Sequence, residues 1–100
     1  MELTDRVALV TGANSGIGEA IALRFGRAGA DVAVNYRSRP EDAENVRRQI
    51  EEMGRRAITI QADISIEDQV RGMVERAIDE FGRIDILVNN AGITRDNILA

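Results

Sequence analysis

The chain has 100 residues, of which 44% are apolar and 30% charged, and its formal net charge is -4. This composition is typical of one folded domain, and an acidic balance without a long basic run argues against nucleic acid as a partner. The sequence has no apolar run long enough to cross a bilayer, no signal-peptide pattern at its start and no cysteine, so we expect a cytoplasmic protein with no membrane contact, no disulfide and no cysteine-held metal.

Short apolar or β-branched runs alternate with stretches of helical periodicity along the chain. The pattern predicts strands at 6–10, 31–35, 57–61 and 84–89, and helices within 17–28, 43–53 and 70–81. This β-α-β-α-β-α-β alternation predicts a parallel α/β sheet. The strand order that we expect for this sheet is 3-2-1-4. We expect a single domain over residues 1–100, in which 91–100 form a loop or an incomplete helix.

Helix boundaries are indicated by glycine, proline and acidic residues. Gly29, Gly54 and Gly82 each follow a helical stretch, where a left-handed helix end is needed. Pro40 suits a first helical position. For the third helix, Ser65 followed by an acidic residue three positions later predicts a capping box.

The first predicted strand runs into Thr11-Gly12-Ala13-Asn14-Ser15-Gly16-Ile17-Gly18 and then into the first helix. In that position Gly12 would make the turn, Gly16 would allow a ligand close to the backbone, and Gly18 would let the helix pack tightly on the sheet. The alternative is an ordinary glycine-rich turn. Because the glycines stand between a strand and an amphipathic helix, we predict that they bind the pyrophosphate of a dinucleotide.

A second motif, Asn89-Asn90-Ala91-Gly92, ends the fourth predicted strand. Together, the two motifs resemble those of the short-chain dehydrogenase/reductases, and the resemblance extends over essentially the whole chain. It implies a Rossmann-type fold, here the amino-terminal half and therefore truncated, with Asn90, Ala91 and Gly92 lining the cofactor cleft and Thr11 tying the motifs together. The alternative for Asn89 and Asn90 is a strand-ending turn.

The resemblance also assigns roles after the third strand. Asp63 would accept a hydrogen bond from the adenine amino group, with Ile64 beside it, although Asp63 could instead be a helix-start residue. The predicted cofactor-binding residues are thus Thr11, Gly12, Asn14, Ser15, Gly16, Ile17, Gly18, Tyr36, Arg37, Ser38, Asp63, Ile64, Asn90, Ala91 and Gly92.

The end of the second strand bears on the choice of nucleotide. An NAD site would present an acid there to hold the ribose hydroxyls, but this chain has Tyr36-Arg37-Ser38. Arg37 can pair with a 2'-phosphate and Ser38 can add a donor, which favours NADP over NAD, with use of both left open. Tyr36 is placed to flank the adenosine. The alternative for Arg37 is a solvated side chain that binds no ligand.

The proton-transfer groups of the family are missing from these residues. The resemblance implies hydride transfer between a nicotinamide and a carbonyl or alcohol, assisted by a tyrosine, a lysine, a serine and an asparagine. The chain has no histidine and no lysine, since all its basic residues are arginine. The tyrosine and lysine should lie beyond residue 100, so we expect cofactor binding without turnover and no catalytic or metal-binding residue in this chain.

The residues do not identify the substrate. Residues 83–97 resemble 3-oxoacyl-(acyl-carrier-protein) reductases, whereas 35–38 resemble glucose dehydrogenases, so a 3-oxoacyl or sugar-like substrate is expected. The alternatives to an oxidoreductase are a non-enzymatic cofactor-binding module or an engineered minimal Rossmann scaffold. A phosphorylation-dependent receiver domain is excluded because the first strand lacks the acidic residues that such a domain needs. Full-length relatives are usually tetrameric, and the fourth strand is expected to form an exposed apolar edge that favours self-association.

Overall fold

The structure is a computed structural model, and it describes residues 2–90. Within that range strands and helices alternate as the sequence predicts. In chain order they are β1 (Val7–Val10), α1 (Gly16–Arg27), β2 (Asp31–Tyr36), α2 (Pro40–Glu52), β3 (Ala57–Gln61), α3 (Glu67–Phe81) and β4 (Ile86–Val88). The predicted loop or incomplete helix at 91–100 lies outside the described residues.

The described strands form one parallel sheet in the order β3-β2-β1-β4. This confirms the predicted α/β class and strand order. In the central strand, Leu9 is paired with Ala33 of β2 and with Leu87 of β4. β1 is buried along its whole length, because helices cover both faces of a parallel sheet. The carboxyl ends of β1, β2 and β3 therefore lie side by side.

Successive side chains of each strand point into two separate cores. Val10 and Val32 pack on the face covered by α1 and α2, where Ile50 of α2 is fully buried. Leu9 packs on the opposite face, where α3 contributes Met73. Full burial of side chains of this size contributes about 1.5–3 kcal/mol each, so the two cores fix which face each helix occupies.

The glycines after the helices adopt the expected conformation. Gly29, Gly54 and Gly82 have φ of 105°, 85° and 86°, the left-handed region in which a residue without a Cβ is not strained. Pro40 is the first residue of α2, as predicted. These residues end one element and begin the next with little intervening chain.

The predicted capping box at the start of α3 is wrong. The residue that caps α3 is Ile66, and no side chain caps the helix. Ser65 instead directs both its backbone N–H and its hydroxyl to Oδ1 of Asp63, at 3.0 and 2.6 Å. The box fails because Ile66, and not Ser65, occupies the cap position, while the Asp63 carboxylate two residues upstream orients the Ser65 side chain away from the helix.

β4 is shorter than the predicted strand at 84–89 because Asp85 makes contacts of a different kind. Its Oδ2 accepts hydrogen bonds from the Val7 amide at 2.8 Å and from Arg83 Nε at 2.9 Å. Arg83 also donates through Nη2 to the carbonyl of Asp5 at 2.8 Å. The amino end of β4 is thereby fixed to the start of β1.

The outer edge of β4 carries no strand among residues 2–90. Leu87, in the middle of β4, is 60% exposed, whereas its partner Leu9 is fully buried. The predicted exposed apolar edge is therefore present, although its strand has three residues and is shorter than the predicted 84–89.

Candidate nucleotide-binding site

A cleft of about 320 Å³ lies where the carboxyl ends of β1, β2 and β3 meet. Parallel α/β sheets bind ligands in such a crevice, because the loops after the strands and the amino ends of the helices converge there. The predicted site residues that line it are Gly12, Asn14, Ser15, Arg37, Ser38, Asp63 and Ile64. Four lining residues were not predicted: Asn35, Arg39, Ala62 and Ser65.

The loop between β1 and α1 presents bare backbone to this cleft. Gly12 and Gly16 have φ of 58° and 57°, and a Cβ on Gly16 would meet no atom within 4 Å. Ser15 stands at the cap position of α1 but makes no side-chain cap hydrogen bond. The first N–H groups of a helix lack partners and carry partial positive charge, so this helix end suits an anionic ligand.

Gly18 allows the loop and the helix to lie in contact. A Cβ at this position would overlap the carbonyl oxygen of Gly12 and would lie 2.6 Å from Nδ2 of Asn90. We expected Gly18 to permit close packing of the helix on the sheet. The close neighbours are instead the glycine turn and the end of the segment after β4, so Gly18 fixes the shape of the loop.

The predicted link between the two motifs is present. The Thr11 hydroxyl donates to the Val88 carbonyl at 3.3 Å and lies 3.4 Å from Oδ1 of Asn89. Asn90 donates through Nδ2 to the Gly12 carbonyl at 3.3 Å. Ala91 and Gly92, the rest of the predicted motif, lie outside the described residues.

Asn35 was not predicted, and it joins three strand ends. Its side chain is 1% exposed. Oδ1 accepts from the Gly12 amide at 3.1 Å, while Nδ2 donates to the carbonyls of Ile60 and Ala62 at 3.1 and 3.3 Å. The Asn35 carbonyl also accepts from the Ala13 amide at 2.8 Å. The available signal was a polar residue within an apolar strand.

Asn14 uses its amide to support a neighbouring turn. Its Nδ2 donates to the carbonyl of Ser38 at 2.8 Å and lies 3.4 Å from that of Arg39. The residue is only 8% exposed. Asn14 therefore connects the glycine loop to the turn between β2 and α2. This structural contact is the role that the described residues show for it.

Arg37 and Asp63 face each other across the cleft. Nε of Arg37 lies 3.6 Å from Oδ2 of Asp63, and the Arg37 side chain is 80% exposed. The Ser65 hydroxyl, the Ser65 amide and then the Arg37 charge hold the pKa of the Asp63 carboxyl below its usual value. Asp63 is therefore ionised at neutral pH, and its Oδ2 is the oxygen that faces the cleft cation.

A second arginine, Arg39, lies on the same turn. Its Nη2 donates to the Ser15 hydroxyl at 3.3 Å and its Nε lies 3.6 Å from Oδ2 of Asp42. No periodicity or motif in the sequence points to this residue. Its position depends on an unusual backbone conformation at the start of α2.

Ile17 and Tyr36 are predicted residues that do not line the cleft, and the same holds for Thr11, Gly16, Gly18 and Asn90. Ile17 is an exposed apolar side chain in the first turn of α1. Tyr36 is partly buried against the core on the α1 and α2 face. Contact of either residue with a cofactor stays a prediction.

A smaller, mostly apolar cleft of about 190 Å³ adjoins the site between α3 and β4. It is lined by Thr11 and Ile64 together with Val70, Met73, Val74, Leu87 and Asn89. Ile64 lies between the two clefts, since it lines both.

Among residues 2–90 no group of three or more histidine, cysteine, aspartate or glutamate side chains could hold a metal ion. No helix in this part of the chain is long and apolar enough to span a bilayer. The described chemistry is that of a binding cleft with bare amides, two arginines and one carboxylate.

Comparison with known proteins agrees with this geometry. The family model for short chain dehydrogenases matches residues 6–100. The chain is 48% identical over 99 residues to 3-oxoacyl-(acyl-carrier-protein) reductase FabG of Staphylococcus aureus. That match covers 99% of this chain and 40% of the relative, so the chain spans well under half the length of the curated proteins that it matches.

Solved structures of similar proteins also match most of this chain and less than half of their own length. A short chain dehydrogenase from Burkholderia cenocepacia in complex with NADP is 44% identical, with a TM-score of 0.86 over 98% of this chain and 44% of that one. A 7α-hydroxysteroid dehydrogenase complexed with NADH is 36% identical, with a TM-score of 0.84 over 88% of this chain and 34% of that one. The match of the family model, the strand order and the glycine loop lead to one conclusion: the chain belongs to the short-chain dehydrogenase family.

Proposed function

We propose that this chain binds a nicotinamide dinucleotide, with NADP preferred over NAD. The observation that carries the proposal is the uncapped amino end of α1, which glycine backbone leaves open toward a cleft lined by Arg37. Uncapped amides and a cation together match the charge of a pyrophosphate and an added phosphate. The relative solved with NADP supports the proposal.

The preference for NADP rests on the end of β2. Tyr36, Arg37 and Ser38 place no carboxylate where it could hold the ribose hydroxyls. Arg37 is exposed and lies within the cleft, where its planar guanidinium can take a 2'-phosphate through two hydrogen bonds. Its only ion pair among the described residues, with Asp63, is long and partly solvated, and such a pair costs little to separate.

The other predicted residues would contact different parts of the dinucleotide along the cleft. Ser15, Gly16 and Ile17 would hold the pyrophosphate from the start of α1, while Asp63 would accept from the adenine amino group beside Ile64. Asn90, with Ala91 and Gly92, would line the side next to β4. Oδ1 of Asp63 is used by Ser65, so Oδ2 is the oxygen proposed for adenine.

In a longer protein this site would serve an oxidoreductase acting on a carbonyl or alcohol, with a 3-oxoacyl or sugar-like substrate. The bound cofactor would supply or accept the hydride. Residues 1–100 would bind and orient it, and proton transfer would need groups beyond residue 100, because the chain has no histidine and no lysine. We therefore propose that the 100-residue chain binds without turnover. A cytoplasmic location and a tetrameric full-length form are proposed on the family resemblance alone.

The lack of histidine and lysine also fits a second candidate, a non-enzymatic cofactor-binding module or minimal scaffold. Both candidates require nucleotide binding, and they differ in whether a catalytic half exists. Continuation of the reading frame past Ala100 into a tyrosine and lysine motif would support the enzyme. A stop codon directly after Ala100 would support the binding module.

Titration of the chain with NADPH and NADH, followed by fluorescence or calorimetry, tests the proposal. We expect NADPH to bind more tightly and Arg37→Ala to weaken it about tenfold, the effect of losing a charge-assisted contact. Arg71→Ala is the control, since that arginine pairs with Glu67 and Asp68 on the exposed side of α3. NADH binding at least as tightly as NADPH, together with no effect of Arg37→Ala on NADPH affinity, would refute the preference, and carbonyl reduction above background would refute inactivity.

A further inference from the structure

The two outer strands of the sheet differ in how well their side chains are covered. In β3, Ala57 and Ile60 are buried, and Gln61 is the one exposed residue. In β4, Leu87 is 60% exposed, and the strand contains no charge and no proline. Charged residues and proline are the usual protection of an open strand edge. β4 is therefore the edge of this sheet that is open to another strand.

The surroundings of β4 leave room for that strand. On one face of the sheet, the apolar cleft separates Leu87 from Val70 and Val74 of α3, so the helix does not cover the strand. Among residues 2–90 no other strand pairs with the outer edge of β4. A strand laid along this edge would bury part of the Leu87 side chain, which stabilises the pair in proportion to the apolar area removed from water.

A second copy of this chain offers the matching edge. In a two-fold dimer the same surface serves both partners, and a two-fold axis normal to the sheet pairs β4 with itself in antiparallel orientation. With the axis at Leu87, each Leu87 lies opposite the other, and Ile86 lies opposite the partner's Val88. These pairs are all apolar, and apolar cross-strand pairs stabilise a sheet. An axis at Ile86 or Val88 would instead put Leu87 opposite Asp85 or Asn89.

The charges beside β4 are compatible with this register. Asp85 would lie opposite the partner's Asn89, which is uncharged. Within its own chain the Asp85 carboxylate lies 2.9 Å from Nε of Arg83 and 3.8 Å from Nη1 of Arg6, so its charge is offset there. Directly opposed like charges would destabilise a strand pair, and this register has none. The edge therefore fits a second copy better than a strongly charged partner.

We propose that two copies of this chain associate through β4, antiparallel and centred on Leu87, which joins two four-stranded sheets into one. Each copy contributes a strand of three residues, and so short an overlap buries less than the roughly 1,000 Å² expected of a stable interface. The dimer is therefore weak and depends on concentration. Nucleotide binding is not required for it, because the nucleotide cleft lies at the ends of the other three strands.

Single cysteines test this register, because the chain has no cysteine of its own. Under mild oxidation Leu87→Cys should form a disulfide-linked dimer, since directly opposite Cα atoms lie about 4.5–5.5 Å apart, within the range of a disulfide. Ile86→Cys and Val88→Cys should each stay monomeric alone, because the two copies of either cysteine would be about 8 Å apart, which is too far. When these two variants are mixed, they should cross-link to each other.

Thr59→Cys, in the middle of β3, is the matched control on the other edge of the sheet and should not cross-link. Melting midpoints measured before oxidation show that each variant is folded. Cross-linking of Ile86→Cys or Val88→Cys alone, to the same extent as Leu87→Cys, would overturn the proposal. Cross-linking between Thr59→Cys and Leu87→Cys would also overturn it, since a contact between different edges builds open-ended assemblies. So would a monomeric Leu87→Cys, and slow reaction of its thiol with a soluble disulfide would then show that residues 91–100 cover the edge.

Discussion

Gly18→Ala tests whether the glycine loop must keep its observed shape. The added Cβ would overlap the Gly12 carbonyl oxygen and would lie 2.6 Å from Asn90 Nδ2 and 2.8 Å from the Gly12 carbonyl carbon. Two of these three atoms belong to the backbone, so a side-chain rotation cannot relieve the overlap. The loop or the helix must move.

The magnitude follows from two opposing effects. Overpacking costs about 1–3 kcal/mol, while replacing a helical glycine by alanine gains about 0.5–1 kcal/mol. We expect a net loss of about 1–2 kcal/mol in the free energy of unfolding. Displacement of the loop should also weaken NADPH at least tenfold, since one amide contact to a charged group contributes about 1.5–3 kcal/mol.

Gly72→Ala is the matched control, because a Cβ at this position in α3 would meet no atom within 4 Å. It should stabilise the chain by about 0.5–1 kcal/mol, as alanine in a helix interior does, with no change in NADPH affinity. Urea denaturation and nucleotide titration measure both quantities. If Gly18→Ala were as stable as Gly72→Ala and bound NADPH like the unsubstituted chain, the steric argument for the loop would be refuted.

Three further predictions concern the supports of the site and the sheet edge. Asn35→Ala leaves the part-buried Gly12 amide and two buried carbonyls without this partner. It should lower the free energy of unfolding in urea by about 2–4 kcal/mol, and a loss below about 1 kcal/mol would contradict the described hydrogen bonds. Arg83 and the Val7 amide lower the pKa of the Asp85 carboxyl in the folded chain. The stability that ionised Asp85 contributes should therefore be complete above the pKa of the unfolded chain, near 3.8, and should be lost as the pH falls through the lower pKa of the folded chain. Melting midpoints measured between pH 2 and 5 should depend less steeply on pH in Asp85→Asn, and an unchanged profile would argue against this linkage. Leu87→Lys puts a charge on the outer edge of β4 and should shift the chain toward monomer in sizing experiments, whereas an unchanged elution profile would show that any association uses another surface.

The fold could be predicted from local patterns because each element carries its own signal. Apolar runs mark the strands, and Gly29, Gly54 and Gly82 mark the helix ends through their left-handed conformation. The start of α3 could not be predicted in the same way. The helix begins one residue later than predicted, with Ile66 at its cap position, and this start depends on the turn that Asp63 and Ser65 form, which the sequence pattern does not encode.

The site was predictable where the backbone itself does the binding. Gly12 and Gly16 follow from the chemistry of phosphate at a helix end, and Arg37 follows from its place after a strand. Asn35 and Arg39 were missed because their roles arise from distant segments. Asn35 contacts loops after β1 and β3, and Arg39 contacts Asn14 and Ser15 of the loop after β1.

Asn35 has a consequence for how ligands are received. The side-chain Oδ1 of Asn35 accepts from the Gly12 N–H, and its backbone carbonyl accepts from the Ala13 N–H. The start of the loop is therefore ordered before any nucleotide binds. Association then loses little conformational entropy on ordering this segment. The same two amides should exchange their hydrogens with solvent as slowly as those of the central strands, since both require opening of the sheet.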